Sequence, residues 1–265
     1  MDRPPLNYLT HLAADSERFA EVLARVDGGA RVPTCPDWDA DDLVWHLAEV
    51  QWFWSRLVRH RPAAPDQQPE RRQTRPADRT ALRALGEQST RDLLAELCAA
   101  EPGERCWTWS EDQTVGFVYR RQAHEALIHR LDAELTAGVR TALPAELAAD
   151  GIDEVLRVML GGAPPGANVV PEPMSTVRLT AADAGHRWLV TLGRAQGERD
   201  GHGFDLPTLL VADSDPGDPA AATVVGAAED LDCWLWNRPP RHALTRSGDL
   251  GVLRGLEAVK HGPVR

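Results

Sequence analysis

The sequence predicts an α+β protein: a four-helix bundle over residues 1–150, then a smaller α+β domain over residues 151–265. Three observations point there. The first half repeats apolar residues at the helical period. After Gly151 the pattern shifts to alternation, the signature of strands. And 265 residues, 43% of them hydrophobic, are enough to build two cores.

In chain order, "LNYLTHLAADSERFAEVLARV" sets Leu6, Leu9, Leu12, Phe19, Val22 and Leu23 near one helical stripe, stopped by Gly28 and Gly29. A second helix is predicted from about Ala40 to Arg59, with Asp39 as N-cap and acids crowding its first turn. "RPAAPDQQPERRQTRPADR", Arg61 to Arg79, is polar and proline-rich and reads as a long loop, a length that often borders a site. A third helix runs from about Thr80 to Ala100, ended by Pro102-Gly103. A fourth starts near Thr114 or Val115 and ends at Gly138, a fitting residue beyond a helix C-terminus.

In the second half "GIDEVLRVML" reads as a short helix and "GGAPPGANVVPEPMS" as a Gly/Pro linker. Two strands follow around a turn, from Thr176 and from Arg187. "AATVVGAAEDLDCWLWNR" reads as strand then helix, and "GDLGVLRGLEAVK" as a last helix.

Composition excludes several classes. Forty acidic against 29 basic residues, a formal charge of -11, argue against nucleic acid as a partner. No apolar run is long enough for a membrane span, and the first residues lack the apolar core of a signal peptide. Cys35, Cys98, Cys106 and Cys233 form no C-x-x-C, so reduced thiols and a cytoplasmic location are expected. No phosphate-binding glycine loop is present.

The chemistry centres on "HEALIH", His124 to His129. Zinc proteases space two histidines four apart on one helix face; here they are five apart, about 140° around the helix. Glu125 and His129, four apart, do share a face and make half a metal site. His46, flanked by Leu43, Val44, Leu47 and Val50, is the best third ligand. By spacing alone, exposed side chains for the Glu/His pair and a hydrogen-bonded core histidine for His46 are the commoner readings of the same residues. His124 falls off the face, as a supporting or surface residue.

"VPTCPDWDADDLVWHLAEV", "RRQAHEALIHRLDAELTAG" and "LDCWLWNRPP" together resemble the mycothiol-dependent maleylpyruvate isomerase family, within the DinB-like metal-binding four-helix superfamily. The resemblance implies a divalent metal, zinc first among candidates, held by His46, Glu125 and His129. It also implies mycothiol as thiol cofactor or co-substrate, a C-terminal α+β domain and, with the arginine-rich, lysine-poor composition, an actinobacterial source. The family's second domain typically carries W-G-R; here Asn237 replaces the glycine before Arg238.

The implied enzyme activates a thiol for addition to a small electrophile, as cis-trans isomerase or S-transferase. A hydrolase using zinc-bound water and a non-catalytic binding or regulatory protein are the alternatives. An acidic substrate calls for cations, for which Arg121 and Arg238 are the candidates. Arg130 is expected at the surface. Asp132 is either a support for a ligand histidine or a surface carboxylate. Most bundle tryptophans belong in the core; Trp107 and Trp109 fall in a loop leading to the fourth helix.

Overall fold

The structure, a computed structural model, describes residues 6–61, 73–161, 167–199, 202–212 and 219–262. The chain divides into two compact units, 1–141 and 142–265.

The first unit is four helices: α1 (Tyr8–Leu23), α2 (Ala40–His60), α3 (Arg79–Cys98) and α4 (Val115–Thr136). In α1 the predicted stripe turns inward, burying Leu12, Phe19, Val22 and Leu23. Phe19, Val22 and Leu23 pack in one core cluster with Val32, Leu43, Val44 and Leu47. α2 begins with a reciprocal cap. Asp39 accepts from the Asp42 amide at 2.8 Å, and Asp42 accepts from the Asp39 amide at 3.0 Å. Because this cap sets the start of the helix that carries His46, Asp39→Ala is expected to destabilise the bundle by about 1 kcal/mol, read by denaturant unfolding followed through the helical signal. An unchanged midpoint would show that the cap contributes nothing.

Residues 62–72 of the proline-rich stretch lie outside the described residues. Its C-terminal part is tied down. Arg75 reaches Asp42 at 2.5 Å, and Asp78 caps α3 by accepting from the Ala81 amide at 2.8 Å. Arg79 donates to the carbonyls of Leu23 at the end of α1 and Val26 just beyond it (2.9 and 2.7 Å) and to Asp41 at the start of α2 (2.7 Å). α4 ends where Gly138 takes φ 70°, as expected.

The second unit opens with α5 (Ala145–Glu154), which continues as one π-helical turn over 155–159. A five-stranded sheet follows: β1 (Asn168–Ala181), β2 (His186–Arg199), β3 (His202–Val211), β4 (Ala222–Gly226) and β5 (Thr245–Gly248), with α6 (Ala228–Leu235) and α7 (Leu250–Lys260). Strand order is β3-β2-β1-β4-β5, antiparallel except for the β1–β4 pair. β1 buries alternate residues Ser175, Val177, Leu179 and Ala181. α7 packs against the sheet so closely that a Cβ on Gly255 would come within 2.8 Å of the Leu192 side chain.

One expectation is corrected here. The stretch read as linker is strand from Asn168 onward. Pro171 and Pro173 are accommodated because the β1–β2 register shifts between Pro171 and Thr176. The four cysteines are free thiols, and burial pushes the Cys106 thiol's pKa up. No helix among the described residues is long and apolar enough to cross a membrane.

Candidate metal centre

α2 and α4 supply the site. His46 sits on the second turn of α2. Glu125 and His129 lie one turn apart on α4, which is buried along most of its length. The Nε2 atoms of His46 and His129 each stand 3.2 Å from Oε1 of Glu125. One donor atom from each residue lies within 4.8 Å of the others. Donors about 2.1 Å from a tetrahedrally held cation are separated by roughly 3.4 Å, a spacing that the two 3.2 Å separations approach, so the three could hold a metal ion. Three protein donors is also the number typical of catalytic zinc sites.

The surroundings fit a cation as well. Asp132 is fully buried, and its Oδ2 accepts from Nδ1 of His129 at 2.9 Å. This bond fixes the ring so that Nε2 faces Glu125 and the site. Burial disfavours a charged imidazole at His129, but Asp132 and Glu125 outweigh it and push the pKa up to about 9. Burial likewise opposes ionisation of Glu125; Arg121, then the hydrogen bonds with His129 and His46, overcome it and hold the carboxyl well below its usual range. Glu125 therefore stays ionised, and positive charge is drawn onto His129.

Arg121, 2% exposed, donates to Oε2 of Glu125 at 2.8 Å, the oxygen that the histidines do not share. It thus braces a donor residue. Trp38 lies against both imidazoles, its ring 4.7 Å from that of His46 and 6.3 Å from that of His129. It comes from the turn that leads into α2. Thr34 in the same turn donates to Oδ1 of Asp132 at 2.5 Å.

One residue differs from expectation, and the places of two others become definite. Arg130 is buried, not at the surface. It spans Asp15 at 3.0 Å and Glu134 at 3.2 Å, because α4 is enclosed where it passes α1. His124 is buried too, edge-on to Tyr8 with ring centroids 6.3 Å apart. Trp109 is among the exposed large hydrophobics and meets Phe117 edge-on; the tryptophan against the imidazoles is Trp38. In sequence Trp38 carried only one signal, its place within the C-P-D-W run before α2.

In the second unit, Asn237 takes the left-handed conformation, φ 58°. Its amide bonds the Trp234 carbonyl at 3.1 Å, and the Arg238 amide bonds the Cys233 carbonyl at 2.7 Å. This is the helix-ending motif that favours glycine and next tolerates asparagine. The substitution therefore preserves the turn that presents Arg238, whose Nη1 donates to the Trp236 carbonyl at 2.8 Å.

Residues 9–134 match the family model described as the mycothiol maleylpyruvate isomerase N-terminal domain. Residues 146–255 match that of the corresponding C-terminal domain. Among solved structures, two resemble this fold: a crystal structure of the mycothiol-dependent maleylpyruvate isomerase (14% identity, TM-score 0.59) and one of a histidine-to-alanine mutant (13% identity, TM-score 0.61). Each comparison covers 92% of this chain and 93% of the other. At such identity the likeness is one of fold. No curated protein matches the sequence.

Proposed function

Since the chain belongs to the mycothiol maleylpyruvate isomerase family, we propose that it is an enzyme whose bundle holds a divalent cation, zinc first among candidates, through His46, Glu125 and His129. It uses that site to add the thiol of mycothiol to a small electrophile. The observation that carries this reading is the meeting of the two Nε2 atoms on one oxygen of Glu125, each at 3.2 Å.

A cation bound there supplies the Lewis acidity that lowers a thiol's pKa, so that thiolate is available near neutral pH. The chain's own residues do the rest. Asp132 keeps the proton of His129 on Nδ1 and leaves Nε2 as a donor. Arg121 neutralises and orients the second oxygen of Glu125. Trp38 packs at a tilt against His46 and His129 and walls one side of the site. With a cis double bond conjugated to a carbonyl, the thiolate adds to one alkene carbon and the electron pair moves onto the carbonyl. Rotation about the resulting single bond and loss of the same thiolate give the trans isomer. In S-transfer the carbanion is protonated instead, and the thioether is the product.

Arg121 braces Glu125, and Arg238, whose Nη1 donates to the Trp236 carbonyl, is the cation proposed for an anionic substrate on the family resemblance. The test incubates zinc-loaded protein with mycothiol and a panel of cis-unsaturated acids and neutral electrophiles, reading products by mass. Isomer or thioether is expected only with thiol present. Arg238→Ala is expected to raise KM for the acids about tenfold, the worth of one charge-assisted hydrogen bond, and to leave the neutral compounds within about twofold. Equal turnover without thiol would replace this reading with hydrolysis by activated water.

A further inference from the structure

We infer that Thr34 is a positioning residue for the bundle site: its hydroxyl fixes Asp132, and through Asp132 the ring of His129. This rests on the cation reading given above. Asp132 lies on α4 three residues beyond His129 and accepts from its Nδ1 with Oδ2. A carboxylate held at one oxygen can still rotate. Thr34, 98 residues earlier in the chain, donates to the other oxygen at 2.5 Å. With both oxygens engaged, the carboxylate plane is set, and with it the direction of the imidazole.

The turn that carries Thr34 is itself held in place. The Val32 amide bonds the Trp38 carbonyl at 3.1 Å, the Cys35 amide the Val32 carbonyl at 3.2 Å, and the Trp38 amide the Cys35 carbonyl at 2.9 Å. Val32 is 1% exposed and anchors the turn in the bundle core. The same turn places Trp38 against His46. One short segment thus acts on both imidazoles, by a hydrogen-bond relay on His129 and by ring contact on His46. Valine would match threonine in shape and leave Asp132 one donor short.

The test measures zinc affinity by competition with a chromogenic chelator, on the full chain stripped of metal. Thr34→Val is expected to weaken zinc binding about tenfold, the lower end for a group one step removed from a ligand. Thr34→Ser, which restores the hydroxyl, is expected to stay within about twofold of the parent. In an Asp132→Asn background, Thr34→Val is expected to change affinity by less than about twofold, since the relay is already broken. The visible absorption of the cobalt(II)-loaded protein is expected to shift in the valine variant and return in the serine variant. Parental affinity in Thr34→Val overturns the inference. So does serine behaving like valine, or an equal loss in both backgrounds. If the parent protein holds no zinc, the cation reading itself falls and takes this inference with it, an outcome distinct from the other three.

Discussion

Glu125→Gln is expected to remove stoichiometric metal from the protein and abolish thiol-dependent turnover. The amide is nearly the same size as the carboxylate, so the change is one of charge. Glu125 is the only anion among the three donors, and both imidazoles converge on its Oε1 at 3.2 Å. Replacing the sole anionic donor should weaken cation binding by roughly a hundredfold or more, beyond the 10- to 100-fold typical of supporting residues. A second cost appears even without metal. Arg121 is 2% exposed and loses the carboxylate it meets at 2.8 Å. Breaking a buried pair from one side costs about 3 kcal/mol or more. The metal-free variant should therefore melt below the metal-free parent, and the two effects are read apart: elemental analysis after dialysis for the first, thermal unfolding in chelator for the second. Should Glu125→Gln keep one metal per chain, the donor assignment is wrong.

How far the sequence foretold this site depends on which residues are asked about. Glu125 and His129 were legible because helical spacing is local: four residues on one helix fix a shared face whatever surrounds it. His46 was legible because its neighbours Leu43, Val44 and Leu47 are apolar, and all three are buried in the structure. Whether α2 and α4 meet at these turns is not a local property. There, resemblance to a known family added what periodicity could not. The roles of Thr34 and Trp38 were illegible for the same reason. The contacts Thr34–Asp132 and Trp38–His129 span long stretches of sequence, and a turn offers no period to read. Arg130 was misread because α4 has no single apolar stripe. It is enclosed on several sides, and Arg121, Arg130, Asp132 and Glu134 lie buried among its apolar residues. A helix of mixed pattern reads as half-exposed when its charged groups in fact pair inside.

The second unit shows the same division. β1 from Thr176 and β2 were legible as alternation, β4 as a strand leading into a helix, and α7 as a helix. β3 went unread because Gly203 and Pro207 interrupt "HGFDLPTLLV", which is tolerable in a strand at the sheet's edge. β5 is four exposed residues at the opposite edge, too short for a pattern.

Arg130→Met carries the largest expected stability change that spares the proposed chemistry. Arg130 is 3% exposed and bridges Asp15 on α1 to Glu134 on α4. Glu134 is fully buried and also accepts from Arg18 at 2.9 Å and from the Thr141 amide at 2.8 Å. Methionine roughly fills the space but leaves two carboxylates without their shared cation, a loss of about 3–5 kcal/mol. For a unit of this size that lowers the midpoint of the helical melt by roughly 10–20 °C. The pH dependence separates charge from packing. Burial raises the pKa of Asp15 above its ordinary 3.8, against the pull of Arg130. Its ionised form is thus a penalty at neutral pH that vanishes on protonation, and without Arg130 that penalty grows. Glu134 goes the other way. Burial opposes its charge, but Thr141, Arg18 and Arg130 hold its pKa below the ordinary 4.5, so the stability it adds is present above that value and lost as pH falls through the lowered one. Both trends make the variant's deficit greatest near neutrality and shrink it as pH drops through the carboxylate range. Zinc affinity should fall much less than stability, because the Arg130 side chain, about 100° around α4 from that of His129, pairs with Asp15 and Glu134 and not with a donor. A deficit that stays constant from pH 7 to about pH 4 would mean that Arg130 matters for packing and not for its charge.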